Sequence, residues 1–350
     1  MAGPSYVVLA DGAFDVHHAK TACVLLRYKP EQIAAVIDSR YAGSTVSDVV
    51  GFGGDVPVVA DLQAALRYGP NRLLIGIAPA GGRLPDAWRA VLLDALSAGL
   101  DLYNGLHTFL RDDPELAAAA LSAGRALVDL RAVPDHLSTP NGSRATVRVP
   151  VILTVGTDCN VGKMTVCWEI VRRAAAAGRS YAMAATGQTG RLLTGEGFAI
   201  DRVIADYVAG AAERLVCEAA PGKELVLVEG QGSLLHPMYS GVTLGLLHGS
   251  LPDAMILCHV AGRQTMRSCD TPICSDLARV RSIYEEAAAW VKPAPVIGIA
   301  IATRHLSEGD ARAILESTSR ETGLPVEDPI RFPSGALYDA CEAWRMCTTL

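Results

Sequence analysis

The chain has 350 residues, half of them apolar and 19% charged, with a formal net charge of −6. That length and apolar content suffice for two ordinary domains with buried cores and exclude a disordered chain. An acidic balance without a long basic run argues against nucleic-acid binding, and no apolar run reaches the roughly 18 residues of a membrane span.

The N-terminal MAGPSYVVLADGAFD lacks the basic-then-apolar order of a secretion signal. Nine cysteines, an odd number scattered through a large apolar chain, read as reduced thiols rather than a disulfide framework. A cytoplasmic location is therefore expected. YVVLA (6–10), AAVID (34–38), RLLIGIA (72–78) and ALVDL (126–130) read as buried strands. Asp61 to Tyr68 and Pro85 to Ala98 read as helices between them. A further helix starts at Asp112-Asp113-Pro114, an acidic cap followed by proline, and Gly124 is its stop.

The stretch 131–148, RAVPDHLSTPNGSRATVR, breaks the pattern with two prolines and an Asn-Gly pair. Residues 132–148 are read as a linker between a domain over 1–131 and another over 149–350. In the second, VPVILTV (149–155), SYAMAA (180–185), ELVLVE (224–229), AMILCHV (254–260) and PVIGIAIA (295–302) read as strands. Lys163 to Ala177, Asp201 to Glu218, Ser275 to Val291, Ser307 to Thr322 and a last stretch from Ser334 read as helices. Alternation of this kind predicts α/β domains with parallel sheets.

The most informative segment is VILTVGTDCNVGKMTV (151–166): a buried strand, a loop ending in Gly-Lys, then a helix. Inward-pointing loop N–H groups, a helix N-terminus and a lysine are what a pyrophosphate needs. Gly156, Thr157, Asp158, Cys159, Asn160, Val161, Gly162, Lys163, Met164 and Thr165 are assigned to this cradle, with Lys163 expected unburied at the helix start. The strict pattern asks for Gly at 157 and a hydroxyl at 164, where this chain has Thr157 and Met164; Thr165 follows one place late. ATP, GTP and coenzyme A all carry a pyrophosphate, so the ligand stays open at this point.

Glu229 ends a neighbouring strand in ELVLVEGQGSLLHP (224–237), the position from which an acid faces a phosphate loop. Thr186 and Gln188 lie in a substrate-like loop, TGQTG (186–190), with Asp201 and Asp206 beginning the next helix. Glu229 and His236 are the candidate acid–base groups. Gln231, Thr186, Gln188 and Tyr239 are candidate orienting groups, and Arg263 has the fork to grip a substrate carboxylate. Lys20 and Arg83 are candidate carboxylate or phosphate binders. His107 reads as a core histidine and Cys159 as loop filling rather than a nucleophile. His259, Cys258, Cys269 and Cys274 lack the paired spacing of a zinc site, so no metal is expected. No GxGxxG marks the first domain, which argues against dinucleotide redox chemistry.

GTDCNVGKMT (156–165), ATGQTG (185–190), ADYVAGAAE (205–213) and VEGQGSLLHPMYSGVTLGLLHGSLPDAMILCH (228–259) together resemble the DgcN family, formerly DUF1611. AKTA (19–22), IGIAPAGGRLP (75–85) and GLHTFLRDDPEL (105–116) extend the resemblance over nearly the whole chain. It implies a Rossmann-like N-terminal domain, a P-loop NTPase-like C-terminal domain, and N-acetylation of a D-amino acid, typically D-glutamate, by acetyl-CoA. The GTDxxVGK and VEG segments are also similar to dethiobiotin synthetase, but the upstream domain is extra, Gln231 stands where an alanine is usual, and the hydroxyl after the lysine is missing. The expectation is an acyltransferase acting on small molecules as a homo-oligomer. The alternative is an ATP-dependent ligase or kinase using Mg-ATP through Thr165 and Glu229.

Overall fold

The computed structural model describes residues 3–77 and 82–348. Ala78 to Gly81, which include the end of the expected strand 72–78 and part of the IGIAPAGGRLP segment, lie outside the described residues. The chain divides into two compact units, one running to Ala132 and taking in Arg191–Gly195, the other Val133–Gly190 and Glu196 onward.

The first unit carries β1 (Tyr6–Leu9), α1 (Lys20–Tyr28), β2 (Ile33–Ile37), α2 (Val46–Val50), β3 (Val58–Val59) and α3 (Leu62–Leu66). There follow β4 (Arg72–Ile75), α4 (Arg89–Ser97), β5 (Asp101–Asn104), α5 (Pro114–Ala123) and β6 (Leu127–Asp129). The strands form a parallel sheet in the order β3-β2-β1-β4-β5-β6, a Rossmann-like arrangement. Helix α5 begins as its sequence signals: the Asp113 carboxylate accepts from the backbone of Glu115 and Leu116, and Gly124 ends the helix in the left-handed region. β5 escaped the strand pattern because two of its four residues are polar. Asn104 is nevertheless buried, its amide donating to Thr108 O and to the Asp129 carboxylate.

The second unit carries β7 (Val151–Gly156), α6 (Lys163–Ala176), β8 (Tyr181–Ala184), α7 (Gln188–Thr194), α8 (Val208–Ala219) and β9 (Leu225–Val228). It continues with α9 (Ser240–Ser250), β10 (Ala254–Val260), α10 (Leu277–Ala289), β11 (Val296–Ala302), α11 (Glu308–Thr322), β12 (Val326–Glu327) and α12 (Ala336–Thr348). The helix Gln188–Thr194 spans the division between the units. Its sheet is parallel, ordered β12-β11-β10-β7-β9-β8. Every residue of β7 is buried. The chain leaves β7 for β8 and β9 on one side and returns to β10 on the other, so the carboxyl end of β7 lies at the switch point where such sheets bind ligands.

Two local expectations need correction, and one stretch left unassigned above is helical. The helix expected from Asp201 starts only at Val208; Asp201 and Asp206 sit in two short 3₁₀ turns, Ile200–Arg202 and Ala205–Tyr207. The stretch 240–250 is helical despite three glycines, which are poor helix formers, because it packs along α8. The expected loop 186–190 turns into α7 after two residues, for a tertiary reason given below. Within the stretch 131–148, the buried Arg144 guanidinium donates to Ser250 O, Leu251 O and the Asp253 carboxylate, while its own N–H and that of Asn141 donate to Glu213. Among the described residues no helix is long and apolar enough to cross a membrane.

Candidate functional site

The phosphate loop leaves β7 at Gly156 and enters α6 at Lys163. Gly162, at the helix N-cap, adopts φ +96°, a conformation glycine takes without steric cost. Asn160 adopts φ 51° at the exposed tip. Val161 and Met164 are buried, and Thr165, the late hydroxyl, is half-buried as the third residue of the helix.

Lys163 corrects the expectation of an unburied lysine: it is 6% exposed. Its ammonium donates to Asp158 O at 2.8 Å and Gly232 O at 2.7 Å. The aliphatic stem runs inward past Gly230, where a Cβ would overlap the Thr154 carbonyl and stand 3.0 Å from Lys163 Cδ. The loop after β9 thus crosses β7 closely enough to close over the lysine. Burying a charge requires such partners.

Asp158 is fully buried and acts as the hub of the loop. Its carboxylate accepts from the backbone of Cys159 at 2.6 Å and Arg267 at 2.8 Å, and from Arg263 Nη1 at 2.7 Å. Arg263 also donates to Cys159 O and Asn160 O. The fork read as a grip for a substrate carboxylate is therefore engaged by an internal carboxylate and the loop backbone. Thr157 Oγ1 lies 3.0 Å from His259 Nδ1, and burial, aided by the Arg263 charge, pushes the His259 imidazole down to about 4. His259 is neutral at pH 7.

Glu229 lies buried at the end of β9. Its Oε2 accepts from Thr186 N at 3.1 Å and Gly187 N at 3.2 Å, just ahead of α7. A carboxylate reaching across from the neighbouring strand thus holds the two residues that lead into α7, and the chain turns helical directly after them. Thr186 Oγ1 donates to Glu229 O and accepts from Gln231 Nε2. Gln231 O in turn accepts from Thr243 Oγ1. Gln188 opens α7, half-buried.

His236 is fully buried. Its Nδ1 accepts from Met238 N at 3.2 Å and its Nε2 faces Arg267 O at 2.9 Å, so the hydrogen bonds assign the proton to Nε2. The ring leans on Tyr239, with centroids 4.8 Å apart. Cys269 Sγ is 4.0 Å from Nε2, and Asp158 Oδ1 3.7 Å.

The structure thus brings the phosphate loop, Glu229, Gln231, Thr186, His236 and Arg263 into one neighbourhood. Lys20, opening α1, and Arg83 are exposed residues of the first unit. Sequence reasoning missed Tyr284. Its buried hydroxyl donates to Gly156 O at 2.7 Å and accepts from Leu234 N at 3.1 Å, joining the end of β7 to the loop after Glu229. No local pattern announces a tyrosine on α10 as a partner of a loop so far upstream.

Comparison with known proteins agrees with this architecture. The Rossmann-like N-terminal domain model of DUF1611 matches residues 39–133, and its C-terminal P-loop domain model matches residues 138–338. The chain is 38% identical over 342 residues to a D-glutamate N-acetyltransferase of Tritonibacter scottomollicae, covering 97% of this chain and 98% of that protein. It is 35% identical over 329 residues to a D-glutamate N-acetyltransferase of Pseudoalteromonas sp, covering 94% and 96%. A crystal structure of a DUF1611 family protein from Anabaena variabilis superimposes with a TM-score of 0.91 at 39% identity, covering 97% of this chain and all of that one.

Proposed function

The chain belongs to the DUF1611 family, and from that premise we propose that it is an N-acetyltransferase moving the acetyl group of acetyl-CoA to the amine of D-glutamate. The observation that carries the reading is near full-length identity, 38% over 97% of the chain, to a D-glutamate N-acetyltransferase. The phosphate loop at the switch point supports it, because coenzyme A carries a pyrophosphate.

The reaction needs a neutral amine, donors for the developing oxyanion and cations for the substrate carboxylates. In the proposed scheme Lys163 and the backbone of 157–163 hold the pyrophosphate. Binding then exchanges the carbonyl partners of the ammonium for phosphate oxygens. Glu229 is the preferred base. Both ring nitrogens of His236 are engaged by backbone groups, whereas a carboxylate can take up a proton and still accept hydrogen bonds. Thr186, Gln188, Gln231 and Tyr239 orient the substrate, and Arg263 keeps the loop in shape through Asp158.

The test is a thiol-release assay with acetyl-CoA and D- or L-glutamate, with no ATP or Mg²⁺ added. The expected result is thiol release with D-glutamate and a product heavier by one acetyl group. No thiol release there, together with phosphate release in a parallel reaction supplied with Mg-ATP, would replace this reading with the ligase or kinase alternative.

A further inference from the structure

Acetyl transfer to an acidic amino acid needs a cation for the substrate carboxylates, and Arg263 is engaged by Asp158 and the loop backbone. Lys163 is engaged by two carbonyls. Arg267 brings another guanidinium to the same neighbourhood. It lies in a small hairpin after β10, closed by bonds from Met266 N to Thr271 O at 2.8 Å and from Ile273 N to Gln264 O at 3.0 Å. Met266 and Ile273 are buried and anchor the hairpin.

Both main-chain polar groups of Arg267 are tied to the site. Its N–H donates to the Asp158 carboxylate at 2.8 Å, and its carbonyl faces His236 Nε2 at 2.9 Å. Asp158 belongs to the phosphate loop and His236 to the loop after Glu229, so Arg267 is fixed where the two meet. The side chain is the opposite case: it is exposed, and its guanidinium has no hydrogen-bond or ion-pair partner among the described residues. An ordinary surface arginine must order its backbone and its side chain to hold a ligand, whereas here only the side-chain torsions remain to be ordered.

We propose that Arg267 binds a carboxylate of the amino-acid substrate, an inference that rests on the acetyl-transfer reading. Charge favours it, because Arg263 and Asp158 offset one another at 2.7 Å and the charge of Arg267 has no such counterpart. Chemistry favours it too, because the planar guanidinium fork matches a carboxylate with two parallel hydrogen bonds. In the proposed scheme the amine lies between the thioester and Glu229, and Arg267 is held by the loops that serve each.

The experiment separates binding from turnover. D-Glutamate is titrated calorimetrically into the full-length protein saturated with coenzyme A, which carries no acetyl group to give, and the KM of each substrate is read by thiol release. Arg267→Ala should weaken D-glutamate binding and raise its KM by roughly 10- to 100-fold, as loss of hydrogen bonds to a charged group does. The KM for acetyl-CoA and the denaturant midpoint should not change. Arg267→Lys, which keeps the charge and loses the fork, should fall between wild type and Arg267→Ala. Arg320→Ala, at an exposed arginine in the last turn of α11, should behave as wild type. Unchanged D-glutamate affinity in Arg267→Ala overturns the proposal. An equal or larger rise in the KM for acetyl-CoA also overturns it, by assigning the guanidinium to a phosphate. A wild-type protein that binds D-glutamate and releases no thiol refutes acetyl transfer alone, and titration of the variant still decides the role of Arg267. A wild-type protein that does not bind D-glutamate refutes the carboxylate assignment.

Discussion

The ammonium of Lys163 stands 2.7 Å from the carbonyl oxygen of Gly232, so one charge joins the phosphate loop to the loop that follows Glu229. A second bond, to Asp158 O, holds the loop's own backbone to the same atom. A phosphate that enters this cradle competes with two carbonyls for one lysine.

Replacing that lysine separates anchoring from chemistry. Lys163→Met keeps the buried stem and removes the charge. Hydrogen bonds to charged groups contribute about 1.5–3 kcal/mol, so acetyl-CoA affinity should fall by roughly 10- to 100-fold. Calorimetric titration of a variant with a cooperative unfolding transition measures this. Unchanged affinity would remove the loop from the binding site.

Glu229→Gln keeps the shape of the side chain while removing its charge and its capacity to take a proton. Two backbone N–H groups lose a charged acceptor, so stability should fall by about 1–2 kcal/mol. The proposed base role predicts more: a drop in kcat of at least about 100-fold with little change in the KM for acetyl-CoA. A variant with lowered thermal stability and normal kcat would show that this carboxylate serves only to start α7.

Tyr284→Phe deletes the hydroxyl between Gly156 O and Leu234 N. The buried Gly156 carbonyl loses a partner, at a cost of about 1–3 kcal/mol, and the half-buried Leu234 N–H loses its acceptor. Denaturant unfolding should report the loss. Acetyl-CoA KM should rise, because the bond fixes the strand end from which the phosphate loop departs. An unaltered unfolding midpoint would show that the two loops hold their places without it.

His259 predicts an acid sensitivity with a definite sign. Burial holds its folded-state value at about 4, whereas the unfolded imidazole titrates near 6.5. Between these values the unfolded chain binds a proton that the folded chain does not, so stability is full above about pH 6.5 and declines toward pH 4. The contribution at stake is on the order of 3 kcal/mol. His259→Asn should therefore flatten the curve of unfolding free energy against pH across this window. Equal losses in wild type and variant would place the acid sensitivity elsewhere.

Signals carried by neighbours in the chain were legible without coordinates. Asp113-Pro114 and Gly124 bracket α5 because capping involves groups within one turn of the helix end. The buried run 254–260 reads as a strand because both faces of a parallel sheet are covered. The phosphate loop was legible for the same reason: strand, glycine, Gly-Lys and helix are contiguous. What each side chain does in the site was decided by the order of strands. β10 lies beside β7, and that adjacency brings Arg263, Arg267 and His259 against the phosphate loop, turning Arg263 toward Asp158. β9 lies between β7 and β8, which sets Glu229 over the start of α7 and lets the loop after it bury Lys163. Hydrogen-bond partners some 40 to 130 residues apart leave no periodicity to read. Their pairing exists only once the sheet has chosen its neighbours, and burial then makes each polar group find a partner.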